Sequence, residues 1–199
     1  FIADVLLRAA GADAAPEQPA WNASGARTIT FAQFLEGNLG AANRPLDLGF
    51  VKPLMRRSFL STHNLAYRDM RLGEDYELYA RALALGARFL LVPAAGYVSV
   101  ERAGSLSKDH SEDDLRRLRD CDTALAQIRT LTSEERRALR RHTSSVDKRL
   151  QWRLLINAVK ARDLGAAIST FRTPPVALYL AERLAEQAWL RGAARLKPQ

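Results

Sequence analysis

The chain has 199 residues, 47% hydrophobic and 26% charged, which places it among globular domains large enough for one core and a small appendage. No stretch approaches the ~20 uninterrupted apolar residues of a membrane span. A single cysteine, Cys121, excludes an intramolecular disulfide and fits a reducing compartment, and no Cys/His cluster has zinc spacing. The net charge of +8 is unevenly placed: residues 1–132 carry 16 basic and 16 acidic side chains, residues 133–199 carry 14 and 6. Such asymmetry points the tail towards an acidic partner, either membrane headgroups or nucleic acid.

Phe1 to Leu7 reads as a strand or the end of an element. It has no charged n-region and no small-residue cleavage site, so it is not a signal peptide, and the natural chain is expected to begin upstream. Residues 11–27 are loop chemistry, with Gly11, Pro16, Pro19 and Gly25. Thr28 to Phe31 reads as a short strand entering a helix that has Phe31, Phe34 and Leu35 on one face. Residues 37–48 are again loop-like. Phe50 to Met55 is expected to be a strand and Arg56 to His63 a short helix.

Between residues 72 and 85, Leu72, Tyr76, Tyr79 and Leu83 recur at helical steps, and Gly86 stands where helices end. Arg88 to Val92 and Tyr97 to Val100 read as strands. From Ser111 the chain turns helical. Ser111 with Asp114, and Thr132 with Glu135, form capping boxes. The first opens a face of Leu115, Leu118, Leu125 and Ile128. The second opens a long pattern through Leu139, Val146, Leu150, Leu154 and Ala158. Thr173-Pro174 suits the start of a last helix through Val176, Leu180 and Leu184. The organisation expected is therefore α/β over residues 1–110 and all-helical over 111–199, divided at the loop Gly104–His110.

Three segments carry a family likeness. Gly73-Glu74-Asp75-Tyr76-Glu77, with Arg81 on the same helix and Gly86 leading to a strand that stops at Pro93, resembles the Glu-Asp signature of family 2 glycosyltransferases. Gly49 to Leu54 with the basic pair Arg56-Arg57 resembles that family's strand followed by a short helix. Tyr97, Arg102 and Gly104-Ser105-Leu106-Ser107 resemble its closing Gly-Ser loop. The order is most similar to exopolysaccharide enzymes of the succinoglycan type and covers roughly residues 1–130.

The resemblance implies the C-terminal part of a GT-A mixed-sheet domain, without its nucleotide-binding half, followed by a helical extension. It implies an inverting transfer of sugar from a nucleotide-sugar to a glycan or polyprenyl-linked acceptor. It also implies a divalent cation, Mg or Mn, held by an Asp-x-Asp that this chain lacks. Asp75 is then the base, with Glu74 orienting it or the acceptor. Arg102, Ser105 and Ser107 are candidate contacts to the donor phosphates, or else a polar loop with a helix cap.

The residues also speak for themselves. An inverting transfer needs a base for the acceptor hydroxyl, and a carboxylate fixed at a helix N-terminus suits that task. Acids in first turns also serve simply to stabilise helices. Lys52 is a charge within an apolar strand, which favours an anion partner or a solvent-reaching head. Arg81 either pairs with Glu77 four residues earlier or braces the site. His110 is either an exposed loop residue or an approach to a metal in the whole enzyme. Trp21 could stack on a sugar.

Two other readings compete. The arginines from Arg116 to Arg141 could make a nucleic-acid-binding module, but they alternate with acids and lack an aromatic stacking platform, so no nucleic acid is expected. A non-catalytic scaffold derived from the transferase is the other. Tyr179 and Trp189 on the basic tail suit a headgroup boundary, so peripheral attachment to the cytoplasmic face of the plasma membrane is expected.

Overall fold

The structure, a computed structural model, describes residues 2–4, 7–9, 25–39, 48, 51–93, 98–100 and 110–195. Its elements follow in chain order: β1 (Ile2–Asp4), β2 (Leu7–Ala9), β3 (Arg27–Ile29), α1 (Phe31–Gly37), β4 (Lys52–Leu54), α2 (Arg57–Thr62), α3 (Glu74–Ala84), β5 (Phe89–Val92) and β6 (Val98–Val100). Four helices complete the chain: α4 (Glu112–Ile128), α5 (Ser133–Ala161), α6 (Leu164–Ser169) and α7 (Pro174–Arg195).

Four short strands form one sheet in the order β3-β5-β1-β4. The central pair is parallel, with Ala3 opposite Leu91, and both flanking strands run antiparallel, so the sheet is mixed. β4 lies at an edge, where the missing N–H of Pro53 is tolerated. The opening strand divides: β2 leaves for a second sheet, where it runs parallel to β6.

Local chemistry accounts for the helices. Thr30 caps α1 and exchanges bonds with Gln33, a capping box that keeps strand β3 one residue shorter than the sequence pattern suggests. Both boxes read from the sequence are present, at Ser111/Asp114 and Thr132/Glu135. The helix read over 72–85 is α3, which begins after Gly73 in a left-handed conformation (φ 73°). α6 is absent from the sequence reading. Asp163 starts it by accepting from the Ala166 N–H, after α5 ends on Arg162 in the left-handed region.

Phe34 is fully buried and sits at the centre of the main core. Its ring stacks on Tyr76 at 5.9 Å, meets Phe89 at 5.9 Å and stands edge-on to Tyr79 at 6.3 Å. Leu118 and Leu125 of α4, with Ala138, Leu139 and Val146 of α5, pack into this same core. The core therefore runs across the loop Gly104–His110, of which only His110 lies among the described residues. A second, smaller cluster joins Leu155 of α5 to Val176 and Leu180 of α7. The 29-residue α5, roughly 43 Å long at 1.5 Å per residue, contributes to both.

Candidate functional site at the start of helix α3

Asp75 is the second residue of α3, and its carboxylate collects three side-chain donors. Lys52 Nζ lies 2.7 Å from Oδ2. The hydroxyls of Tyr67 and Tyr79 donate to Oδ1 at 2.9 and 3.0 Å. The Lys52 side chain is 38% exposed and that of Asp75 18%, so the group is reachable from solvent. Lys52 thus places its charge against a carboxylate and links the edge strand β4 to the start of α3. A carboxylate offers about four lone-pair positions, and three donors leave room for one more.

The two phenols remain donors at neutral pH. Desolvation, reinforced by the charge of Asp75, raises the Tyr67 hydroxyl above its ordinary value. Burial raises that of Tyr79 much further.

Tyr67 is held in place from both sides. Arg81 grips Glu77 with two bonds of 2.8 Å and also donates to the Ala66 carbonyl at 2.8 Å. Arg68 pairs with the same Glu77 carboxylate at 3.1 Å. Glu77 is 2% exposed, so its charge is matched by two guanidinium groups. The residues immediately before and after Tyr67 are therefore both fixed to α3. Arg81 makes the four-residue pair and a loop brace at once.

Gly73 explains the approach of α4. A Cβ at this position would lie 2.8 Å from Leu118 Cδ1, and its φ of +73° disfavours any side chain. The start of α3 consequently rests directly on α4.

Glu74 opens the helix half-exposed beside Asp75. His110 is half-buried just ahead of α4. Arg102, Ser105, Ser107, Tyr97 and Trp21 lie outside the described residues. Among the described residues, no group of three or more His, Cys, Asp or Glu side chains could hold a metal ion. No helix among them is long and apolar enough to cross a membrane.

Sequence reasoning missed Tyr67 and Tyr79 as partners of Asp75. It also missed a second carboxylate cluster beneath them. Asp122 of α4 accepts from Tyr76 at 2.7 Å and from Thr143 at 3.0 Å, and its Oδ2 lies 2.8 Å from His142 Nδ1. The His142 ring stacks on Tyr76 at 4.3 Å. The signal was in the helical stripes: Asp122 falls between Leu118 and Leu125, and His142 between Leu139 and Val146. Burial first, then the Asp122 charge, raises the Tyr76 hydroxyl well above its ordinary value.

Many arginines of the helical part are spent on ion pairs within the chain. Arg116 pairs with Glu112, Arg117 with Asp113, Arg129 with Glu135 and Arg141 with Glu36.

Against this geometry stand two similarities to curated proteins. The chain is 42% identical over 154 residues to the succinoglycan biosynthesis protein ExoU of Rhizobium meliloti (strain 1021), covering 76% of this chain and 45% of that protein. It is 30% identical over 151 residues to the succinoglycan biosynthesis protein ExoO of the same organism, covering 75% and 43%. The chain thus spans less than half the length of either relative. No protein-family model matches it, and no solved structure does.

Proposed function

We propose that this chain supplies the acceptor side of an inverting, GT-A-type glycosyltransferase of family 2 that acts in exopolysaccharide synthesis. The observation that carries the reading is the exposed edge of Asp75 at the N-terminus of α3, oriented by Lys52, Tyr67 and Tyr79. The names of the two relatives support the biosynthetic context.

In this reading the acceptor hydroxyl of a glycan or lipid-linked glycan takes the remaining lone pair of Asp75. As its oxygen attacks the anomeric carbon of the nucleotide-sugar, the proton passes to the carboxylate. Lys52 and the two phenols fix the carboxylate so that little reorganisation accompanies the step. Glu74, half-exposed beside Asp75, orients the acceptor. Arg102, Ser105 and Ser107 are assigned to the donor phosphates. The divalent cation, Mg or Mn, belongs to an Asp-x-Asp outside this chain. Among the described residues no group of His, Cys, Asp or Glu side chains could hold it.

The test is turnover in the whole enzyme. Asp75→Asn should lower kcat by a factor on the order of 10²–10⁴, the usual range for loss of a general base, with donor affinity retained. Turnover near that of the unmodified enzyme would remove Asp75 from the mechanism.

The reading includes a resting place on anionic membrane. Leu164, Ile168, Leu178 and Trp189 are 78%, 73%, 63% and 71% exposed on α6 and α7, within the segment that holds the whole net charge of +8. Each basic residue near anionic lipid contributes roughly 1 kcal/mol. The protein should sediment with vesicles rich in anionic lipid, less so at high salt. Leu178→Glu combined with Trp189→Glu should release it. Equal recovery with neutral vesicles would refute membrane attachment while leaving the transfer reading intact.

A further inference from the structure

Tyr67 is both exposed and held. It is 56% exposed. Its hydroxyl donates to Asp75 Oδ1 at 2.9 Å, the Ala66 carbonyl before it accepts from Arg81 at 2.8 Å, and Arg68 after it pairs with Glu77 at 3.1 Å. Scattered apolar side chains on a surface are ordinary. A ring tied at its tip and at both chain neighbours is not, because it has little freedom left to lose when something lies on it. A rigid ring with a polar tip supplies contact area at low entropic cost.

The surroundings narrow what could lie there. Leu54 ends β4 and is 79% exposed. Side chains two apart on a strand share a face, so Leu54 leaves β4 on the side of Lys52, whose Nζ meets Asp75 at 2.7 Å. Exposed apolar groups from two elements thus accompany one polar pair. Lys52 and Asp75 cancel in charge, which gives this pair no preference for an anion. The Asp75 carboxylate keeps a lone-pair position for one further donor. An aromatic ring beside a placed polar group is how small-molecule sites fix orientation. A neutral pyranose has the matching form: axial C–H groups make its face apolar, and equatorial hydroxyls make its edge a donor.

We infer that Tyr67 is the platform for a neutral pyranose of the acceptor, which lies face against ring and directs one edge hydroxyl to Asp75. Because the Tyr67 hydroxyl is bonded to that same carboxylate, the ring that carries the sugar also sets its distance from the base. The inference rests on the acceptor-side reading of Asp75 and adds the class of acceptor to it: an uncharged six-membered ring sugar with an apolar face.

The experiment titrates the full chain, its tyrosine rings labelled with carbon-13, with methyl β-glucopyranoside. Sorbitol, which has the hydroxyls without the ring, is the control. The Tyr67 ring signals, assigned by their loss in Tyr67→Phe, should shift with a Kd on the order of 10 mM, and sorbitol should leave them in place. Affinity in the variants is read by saturation transfer to the sugar. Tyr67→Phe should bind within about twofold of the parent, and Tyr67→Ala about fivefold more weakly or worse. Both variants lose the bond to Asp75, so the difference between them reports the ring. No shift of the Tyr67 signals up to about 100 mM glucoside would overturn the inference. So would an equal shift with sorbitol, or Tyr67→Ala binding as tightly as Tyr67→Phe. The two readings fail separately. Undiminished turnover in Asp75→Asn removes the base and leaves the platform, whereas a silent titration beside lost turnover in Asp75→Asn removes the platform alone.

Discussion

Asp75 and Asp122 each sit against three donors, and both involve a tyrosine hydroxyl. Their surroundings differ. The Asp75 side chain keeps 18% of its surface in contact with solvent and its lysine 38%. Asp122 keeps none and His142 keeps 5%. A carboxylate beside an imidazole is the better-known catalytic pair, yet here it is sealed between α3, α4 and α5. The plainer group, at a helix start beside a lysine, is the one open to solvent. In the proposed transfer, access rather than the number of bonds sets Asp75 apart from Asp122.

That contrast can be broken by substitution. The largest effect should be the turnover loss for Asp75→Asn proposed above, with a stability change under about 1 kcal/mol because its ion pair is half-exposed. Asp122→Ala should do the reverse. It strands the Tyr76 hydroxyl and His142 in the core, while Thr143 keeps its bond to the Leu139 carbonyl, and should cost about 3–4 kcal/mol. For a chain of this size that lowers Tm by roughly 6–16 °C in calorimetry. Turnover measured below the new transition should hardly change. If Asp122→Ala abolished turnover in a folded enzyme, the division by access would fail.

Glu135 sharpens the picture with a third carboxylate, which caps α5 and meets Arg129 at 2.6 and 2.9 Å. The Arg129 guanidinium holds its carboxyl down to about 2, against an ordinary 4.5. A folded value below the unfolded one means stabilisation that is full above pH 4.5 and lost as pH falls towards 2. Glu135→Gln should therefore cost about 1–2 kcal/mol at neutral pH, after allowance for the partly exposed Arg129. Urea unfolding should show the gap between variant and parent closing as pH falls through that window. A gap independent of pH would mean the cap, not the charge, is what matters. The smallest effect should be that of Tyr67→Phe. Lys52 and Tyr79 still hold Asp75, so turnover should fall only about threefold to tenfold, a loss of roughly 1 kcal/mol.

How much of this could be read from the amino acids alone depended on range. Capping boxes at Ser111 and Thr132 were legible because their bonds close within three residues. The Arg81–Glu77 pair was legible for the same reason. Lys52 declared itself as a charge inside an apolar strand, but its partner lies 23 residues away. Tyr67 stands in the aperiodic stretch before Gly73, where neither helical nor strand spacing gives direction. Asp122 and His142 looked like polar interruptions of two apolar stripes; only the packing of α4 on α5 makes them one cluster. The short α6 was lost because six residues hold under two helical turns, too few to show a period.

The double duty of α5 has a consequence for how the molecule comes apart. Its first half is locked into the main core, whereas α6 and α7 are held by the small cluster of Leu155, Val176 and Leu180. Lifting α6 and α7 away exposes little apolar surface, so their amides should exchange with solvent through a partial opening far cheaper than global unfolding. The amides of α3 and α4 should exchange only when the whole chain unfolds. Helices α6 and α7 would then breathe on the faster clock, and the carboxylate on α3 would stay still while they do.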